Sequence, residues 1–257
     1  MKKVAVITGA TGGIGLATAR LFLKNGYTVY GVARRPYGGD DFFCYGADVT
    51  DYAAMEKILE DVYKKEGGID VFVNNAGMGI AGAMEDCRAE SVQTQVDVNL
   101  TSACILSGKA VKYLKERSGR IINVSSVGGI MPLPYQAVYS ATKAGLEVFS
   151  RALANEVKPY KMKVTCVLPG DTKTGFTDAR VVDGENERAR RSIAKMEKDE
   201  RRGKDPISVA KVIYSAAVKK CPPLRVSVGF VSKSEVFLSR FFSVKALNRI
   251  LYGMYAK

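Results

Sequence analysis

The chain has 257 residues, 47% of them hydrophobic and 25% charged, which suits one soluble domain with a large core. No apolar run is long enough to span a bilayer. The five cysteines are scattered and form no CxxC pair, which argues against a disulfide framework or a metal site and for a reducing, cytoplasmic setting where they serve as small core residues.

In chain order, short β-branched runs alternate with helical patterns. The opening MKKVAVITGATGG breaks at glycines too early for a signal peptide, so residues 3–8 read as a buried strand. A helix over 14–24, a strand over 27–33 and a weaker strand over 42–49 follow. A helix over 52–65 has Asp51 as its cap. Residues 69–77 form a strand ending in a turn. Then come a helix over 98–117, a strand over 120–126, a helix over 138–157, and a strand over 163–168 that stops at Pro169-Gly170. A helix over 206–219 and a strand over 224–229 close the pattern. This alternation predicts an α/β fold: a single Rossmann-like, doubly wound parallel sheet of about seven strands with helices on both faces, one domain over 1–257.

Two stretches depart from the pattern. Residues 171–204 carry many charges of both signs without a clear apolar stripe, and they read as an irregular insert that serves as a substrate lid. Residues 230–257 form an amphipathic extension, with Phe237, Leu238, Phe241, Phe242, Leu247, Ile250, Leu251 and Met254 at helical spacing and Arg240, Lys245 and Arg249 between them. Such a stripe packs on the core, on another subunit or on a membrane surface. The net charge is +13, and residues 205–257 hold nine Lys/Arg against Asp205 and Glu235. A basic surface draws anionic ligands, acidic partners or anionic membrane. No recognition motif or basic–aromatic groove speaks for nucleic acid.

The turn Thr8-Gly9-Ala10-Thr11-Gly12-Gly13-Ile14-Gly15 follows a strand and opens a helix. Glycines there let the backbone approach a pyrophosphate, and the helix amino end supplies N–H groups and partial positive charge. At the end of the second strand a NAD-preferring protein places a carboxylate for the ribose diol. This chain has Ala33-Arg34-Arg35, and Arg34 and Arg35 suit a 2′-phosphate. NADP(H) is therefore favoured, with NAD(H) not excluded. Asp48-Val49, after the third strand, are placed for the adenine, and Asn75-Ala76-Gly77 for the adenosine side.

The chain has no histidine, so acid–base chemistry needs another side chain. Tyr139 and Lys143 share a helix face at i and i+4. A nearby ammonium stabilises phenolate, so the spacing predicts a phenol brought down from its ordinary value near 10. Ser126 ends the fifth strand, where its hydroxyl can meet a substrate carbonyl, while Ser125 points the other way by strand alternation. Asn99 sits early in a helix, where its amide perturbs the ladder or holds a water. Each motif alone is weak; their order at strand carboxyl ends carries the argument.

Over residues 3–229 the chain resembles the short-chain dehydrogenase/reductase family. TGATGGIG is similar to its TGxxxGxG, and Asn74-Asn75-Ala76-Gly77 to its NNAG. Asn99, Ser126, Tyr139 and Lys143 are similar to its catalytic tetrad. Pro169-Gly170 with Thr172 and Thr174 resemble its turn near nicotinamide and phosphate. The resemblance implies hydride exchange between nicotinamide and a carbonyl or alcohol carbon. Tyr139 would exchange the proton, Ser126 polarise the oxygen, Lys143 bind the nicotinamide ribose, and Asn99 anchor a relay water. It also implies a homodimer or homotetramer pairing the 98–117 and 138–157 helices.

Within the family, VARR and the long tail resemble the hydroxysteroid and retinol dehydrogenase-like branch. Met131, Leu133 and Pro134 are placed to line an apolar pocket. The expected substrate is an apolar ketone, aldehyde or secondary alcohol of steroid, retinoid or lipid type. A 3-ketoacyl-carrier-protein reductase, a non-catalytic NADP(H)-sensing module and a membrane-surface protein are the alternatives.

Overall fold

The structure, a computed structural model, describes residues 2–36, 42–184 and 186–256. Its first strand, β1 (Val4–Thr8), is buried from end to end. Its side chains divide by alternation: Val4 and Val6 enter one core, Ala5 and Ile7 the other. A strand apolar on both faces belongs at the centre of a parallel sheet. The glycine turn then leads into α1 (Gly13–Lys24), β2 (Thr28–Ala33) and β3 (Phe43–Gly46). The crossover helix α2 (Tyr52–Glu66) starts at Asp51, whose carboxylate accepts from the Ala54 N–H at 3.0 Å, and ends at Gly67 with φ of 68°.

Next come β4 (Val71–Asn74), a short β5 (Ile80–Ala81), α3 (Ala89–Val96), a π-turn over Asp97–Thr101, and α4 (Ser102–Leu114). β6 (Arg120–Val124), α5 (Ala137–Glu156) and β7 (Lys163–Leu168) follow. The last third holds β8 (Val181–Val182), α6 (Glu187–Arg201), α7 (Pro206–Val218), β9 (Arg225–Ser227), α8 (Phe230–Leu238) and α9 (Val244–Tyr255).

Seven strands form one parallel sheet in the order β3-β2-β1-β4-β6-β7-β9. The order reverses beside β1, so the loops after β1 and β4 diverge and leave a crevice at their carboxyl ends. α2, α4 and α5 cover one face through Met55, Leu59, Leu106, Leu114 and Leu153. α1 and α7 cover the other through Phe22, Val209 and Ile213.

Four expectations need correction. The helix expected over 98–117 begins at Ala89, is interrupted by the π-turn and leaves α-helical form at Leu114. The stretch 171–204 is not irregular: α6 buries Ala189, Ser192, Ile193 and Met196 at i, i+3, i+4 and i+7. An alanine and a serine in that stripe conceal it among the charges. The C-terminal stripe is two helices, because the chain breaks between Leu238 and Val244, where the Ser243 hydroxyl caps α9. The cysteines are all free, but only Cys166 is buried and Cys221 is exposed. Lys257 and Glu185 lie outside the described residues.

The glycine turn is closed by packing. A Cβ on Gly15 would stand 2.0 Å from the Gly9 carbonyl oxygen and 2.6 Å from Asn75 Nδ2, whereas one on Gly12 would meet nothing within 4 Å. Gly15→Ala is therefore expected to lower stability by about 1–3 kcal/mol. Gly12→Ala should stay within about 0.5 kcal/mol of the parent. Urea midpoints at unchanged slope measure both.

Candidate active site

The carboxyl ends of β1, β4, β6 and β7 open into a cavity of about 940 Å³. One hydroxyl organises the end of it that the glycine turn lines. Thr8 Oγ1 accepts from the backbone N–H groups of Asn75 and Ala76, both at 3.0 Å. Asn75 Nδ2 returns bonds to the carbonyls of Thr8 (3.0 Å) and Gly9 (3.3 Å). The turn and the NNAG segment are thus clasped together. Gly9 at φ 65° and Gly13 at φ 48° need glycine's freedom, and a Cβ on Gly13 would strike the side chain of Thr174 at 3.0 Å.

Ser126, Tyr139 and Lys143, three of the four residues expected to carry the chemistry, line the same cavity. Ser126 follows β6 in extended backbone, its Oγ accepts from the Gly128 N–H at 3.0 Å, and it lines the cavity together with Tyr139. Ser125 points away as strand alternation requires, its Oγ donating to the Lys143 carbonyl at 2.7 Å. Lys143 is buried and lines the cavity. Its Nζ donates to the Val124 carbonyl at 3.0 Å and lies 5.7 Å from the centre of the Tyr139 ring. Asn99, in the π-turn, uses both ends of its amide on Met78: Oδ1 accepts from the Met78 N–H and Nδ2 donates to its carbonyl, each at 2.8 Å. A Cβ on Gly77 would sit 3.3 Å from Asn99 Oδ1 and 3.6 Å from Lys143 Nζ, so these three positions adjoin.

The electrostatics overturn one expectation. Lys143 does not bring the phenol down in the chain alone. Burial pushes Tyr139 up to about 12, with Glu200 adding to the rise and the Ser126 hydrogen bond and Arg180 opposing it. Burial also brings Lys143 down to about 8. Both groups shift toward their neutral forms because desolvation outweighs an attraction that acts across a ring rather than at the hydroxyl.

Of the expected nucleotide residues, Gly9, Thr11, Gly12, Gly13 and Ile14 line the cavity, as do Asn75, Ala76 and Gly77. So do Pro169, Gly170, Thr172 and Thr174, and Arg34 stands at the rim. Gly15 does not line it; it shapes the turn from behind. Asn99 likewise stands behind Gly77, with both ends of its amide taken by Met78. Arg35, Asp48 and Val49 are not brought to the cavity. Asp48 Oδ1 accepts instead from the Thr50 N–H (2.9 Å) and Thr50 Oγ1 (2.7 Å). Burial works against its charge, but these bonds and nearby Arg34 outweigh it and hold the carboxyl below its usual value.

Several lining residues had escaped the sequence. Phe176 stacks at a tilt 5.9 Å from Tyr139. Asp171, Asp199, Glu200 and Glu235 form an acidic wall. Asp171 is pushed up to about 6 by burial and then by Glu200, Asp199 and Glu235, against a lowering by Arg180. Arg180 pairs with Glu200, which also accepts from Thr177 at 2.7 Å. Only Asp171 carried a signal, its place directly after Pro169-Gly170; the others are single charges in a charge-rich segment.

Residues 3–184 match the short chain dehydrogenase family. The chain belongs to the short-chain dehydrogenase/reductases. It is 39% identical to a 3-ketodihydrosphingosine reductase of Bacteroides thetaiotaomicron over 98% of both chains. A short-chain dehydrogenase from Streptomyces avermitilis superposes with TM-score 0.84 at 29% identity, covering 98% of this chain and 95% of that one. ElxO with NADP bound superposes at 0.76 and 28% identity, covering 91% of this chain and all of that one. The chain is thus an oxidoreductase acting on CH–OH groups with a nicotinamide cofactor.

Because Lys143 titrates near 8 when folded and near 10.5 when unfolded, unfolding takes up a proton between those values. Stability is expected to rise with pH across that window, as the neutral amine relieves the burial of charge. Lys143→Met should remove the rise. The check is the difference in urea midpoint between about pH 7.5 and about pH 9.5, compared for parent and variant.

Proposed function

We propose that the protein is an NADPH-dependent reductase of a long-chain, apolar ketone that carries an amine near the carbonyl. The carrying observation is one cavity that joins the glycine turn, Arg34, the Ser126–Tyr139 pair and an acidic wall. The residues present fit a dinucleotide. The turn offers backbone N–H groups and no side-chain bulk to a pyrophosphate. Arg34 suits a 2′-phosphate, and no carboxylate competes at Ala33. Lys143, which lines the cavity beside Gly77, suits the nicotinamide ribose. NADPH, when bound, supplies the hydride.

The rest follows from the chain's own groups. Ser126 Oγ hydrogen-bonds the substrate carbonyl oxygen and fixes it beside Tyr139. The phenol, pushed up to about 12, keeps its proton at neutral pH, so it is fitted to donate to the forming alkoxide. Lys143 then returns a proton toward Tyr139. Phe176, Met131 and Leu133 supply apolar wall for an alkyl chain. The acidic wall suits a cation, and the relative's substrate, a keto sphingoid base, has an amine beside its carbonyl. Of the steroid, retinoid and lipid classes, the lipid fits this mixture. Residues 171–204 act as the lid, since α6 brings Asp199 and Glu200 over the cavity.

The free cysteines fit a reducing, cytoplasmic compartment. A homodimer or homotetramer that pairs α4 with α5 accounts for exposed Val148 midway along α5; sedimentation velocity reads it. The basic surface favours a second reading, reduction of ketoacyl groups on an acidic carrier protein.

The test is cofactor oxidation with keto sphingoid bases, ketosteroids, retinal and free or carrier-linked ketoacyl substrates, using NADPH and NADH. NADPH with the amino ketone should be preferred; equal use of NADH, or preference for a carrier-linked substrate, defeats the reading. Tyr139→Phe should lower kcat about 10²–10⁴-fold, and Arg34→Ala should raise the NADPH KM about tenfold. Asp171→Asn should raise KM about tenfold for the amino ketone but leave its amine-free analogue unchanged. The amino-ketone KM should fall as pH rises through about 6, where Asp171 ionises.

A further inference from the structure

The two C-terminal helices have opposite duties on opposite faces. Their inner faces wall the cavity: Val231, Ser232 and Glu235 from α8, and Leu251, Met254 and Tyr255 from α9. α9 is also fastened to the lid helix, since Lys195 Nζ donates to the Met254 carbonyl at 2.6 Å. Their outer faces are apolar and open. Phe230 is 82% exposed, Phe241 73% and Val244 78%, and Phe237 and Leu238 are exposed one helical stripe away. The rings of Phe237 and Phe241 meet edge to face 5.2 Å apart, forming a continuous aromatic ridge.

The charges around this ridge decide what covers it. Lys233, Arg240, Lys245 and Arg249 are all exposed. The sole carboxylate of the two helices, Glu235, turns inward to the cavity. The exposed surface of the two helices and the turn between them therefore carries four cations, and the one carboxylate among them lines the cavity. A second copy placed there by a two-fold axis would set the same cations against themselves. An anionic bilayer would complement them while accepting the aromatic and aliphatic side chains at its headgroup boundary. Among the described residues no helix is long and apolar enough to cross a membrane, so the contact is with the surface.

We propose that the outer face of α8 and α9 docks on an anionic lipid surface, placing the cavity that these helices wall beside the bilayer from which a lipid-like ketone is taken. The second half of this statement rests on the substrate class proposed above; the docking does not.

The experiment is flotation of the full chain with vesicles of phosphatidylcholine alone and of phosphatidylcholine with phosphatidylglycerol. The parent should float with the anionic vesicles and, at moderate salt, stay behind with the neutral ones. Arg240→Gln with Lys245→Gln, and separately Phe241→Ser with Val244→Ser, should each lower the bound fraction about tenfold. Both pairs should keep parent rates of NADPH oxidation on a short, water-soluble ketone. Failure of the parent to float with anionic vesicles overturns the proposal, as does flotation indifferent to both pairs. A halved sedimenting mass in the Phe241/Val244 pair overturns it too, because a second copy is then the occupant. Flotation as expected with no cofactor oxidation on any ketone supports the docking and removes the reductase reading.

Discussion

The whole site depends on one buried hydroxyl. Thr8 Oγ1 takes two backbone N–H groups from the end of β4, at 3.0 Å each, at the place where the strand order reverses. Backbone donors freed by a strand's end must find acceptors or be buried unpaired, and this side chain satisfies two of them. In doing so it fixes the distance between the glycine turn and the NNAG segment. Asn75 completes the clasp by donating to the carbonyls of Thr8 and Gly9. Gly15 can pack against Gly9 only because neither carries a side chain. Further along, Gly77 brings the chain against Asn99 and Lys143. The glycine turn and the cluster around Lys143 are thus held at a set spacing by hydrogen bonds and close glycine contacts.

The chemistry at the far side is set by burial more than by attraction. Two opposed ionisable groups ordinarily help each other to charge, yet Tyr139 and Lys143 both move toward neutrality. The ammonium faces the Val124 carbonyl, and the phenol faces Ser126. Low dielectric penalises each separately, and their separation is too great to offset it. A phenol that keeps its proton is an acid in waiting, suited to a carbonyl that becomes an alkoxide.

Much of this was legible in the sequence, for definable reasons. Glycine spacing after a strand, alternation at Ser125 and Ser126, and the i, i+4 relation of Tyr139 and Lys143 are local rules, and local rules read well. Asp51 as a cap belongs with them. What escaped was set by tertiary contact. α6 buries a stripe diluted by Ala189 and Ser192, so its pattern is faint until Ile193 and Met196 are seen inside. The π-turn around Asn99 has no composition signal. Asp48 had the right position for an adenine but spends its oxygen on Thr50, two residues away. The pKa of Tyr139 was misjudged because spacing gives proximity, while burial depends on the whole fold.

The charge distribution joins these parts into one device. A net charge of +13 gives the surface a positive field that falls off within about 8 Å at physiological salt. Inside the cavity the sign depends on position. Arg34 and the glycine turn make the nucleotide end positive, whereas Asp171, Asp199, Glu200 and Glu235 make the opposite wall negative. The cavity is thus polarised along its length, with Ser126 and Tyr139 in its lining. The acidic wall is built mainly from the lid helix and α8, the elements least like a plain doubly wound sheet. The negative charge of the cavity therefore comes mostly from what was added to the sheet, whereas Ser126, Tyr139 and Lys143 belong to β6's end and α5.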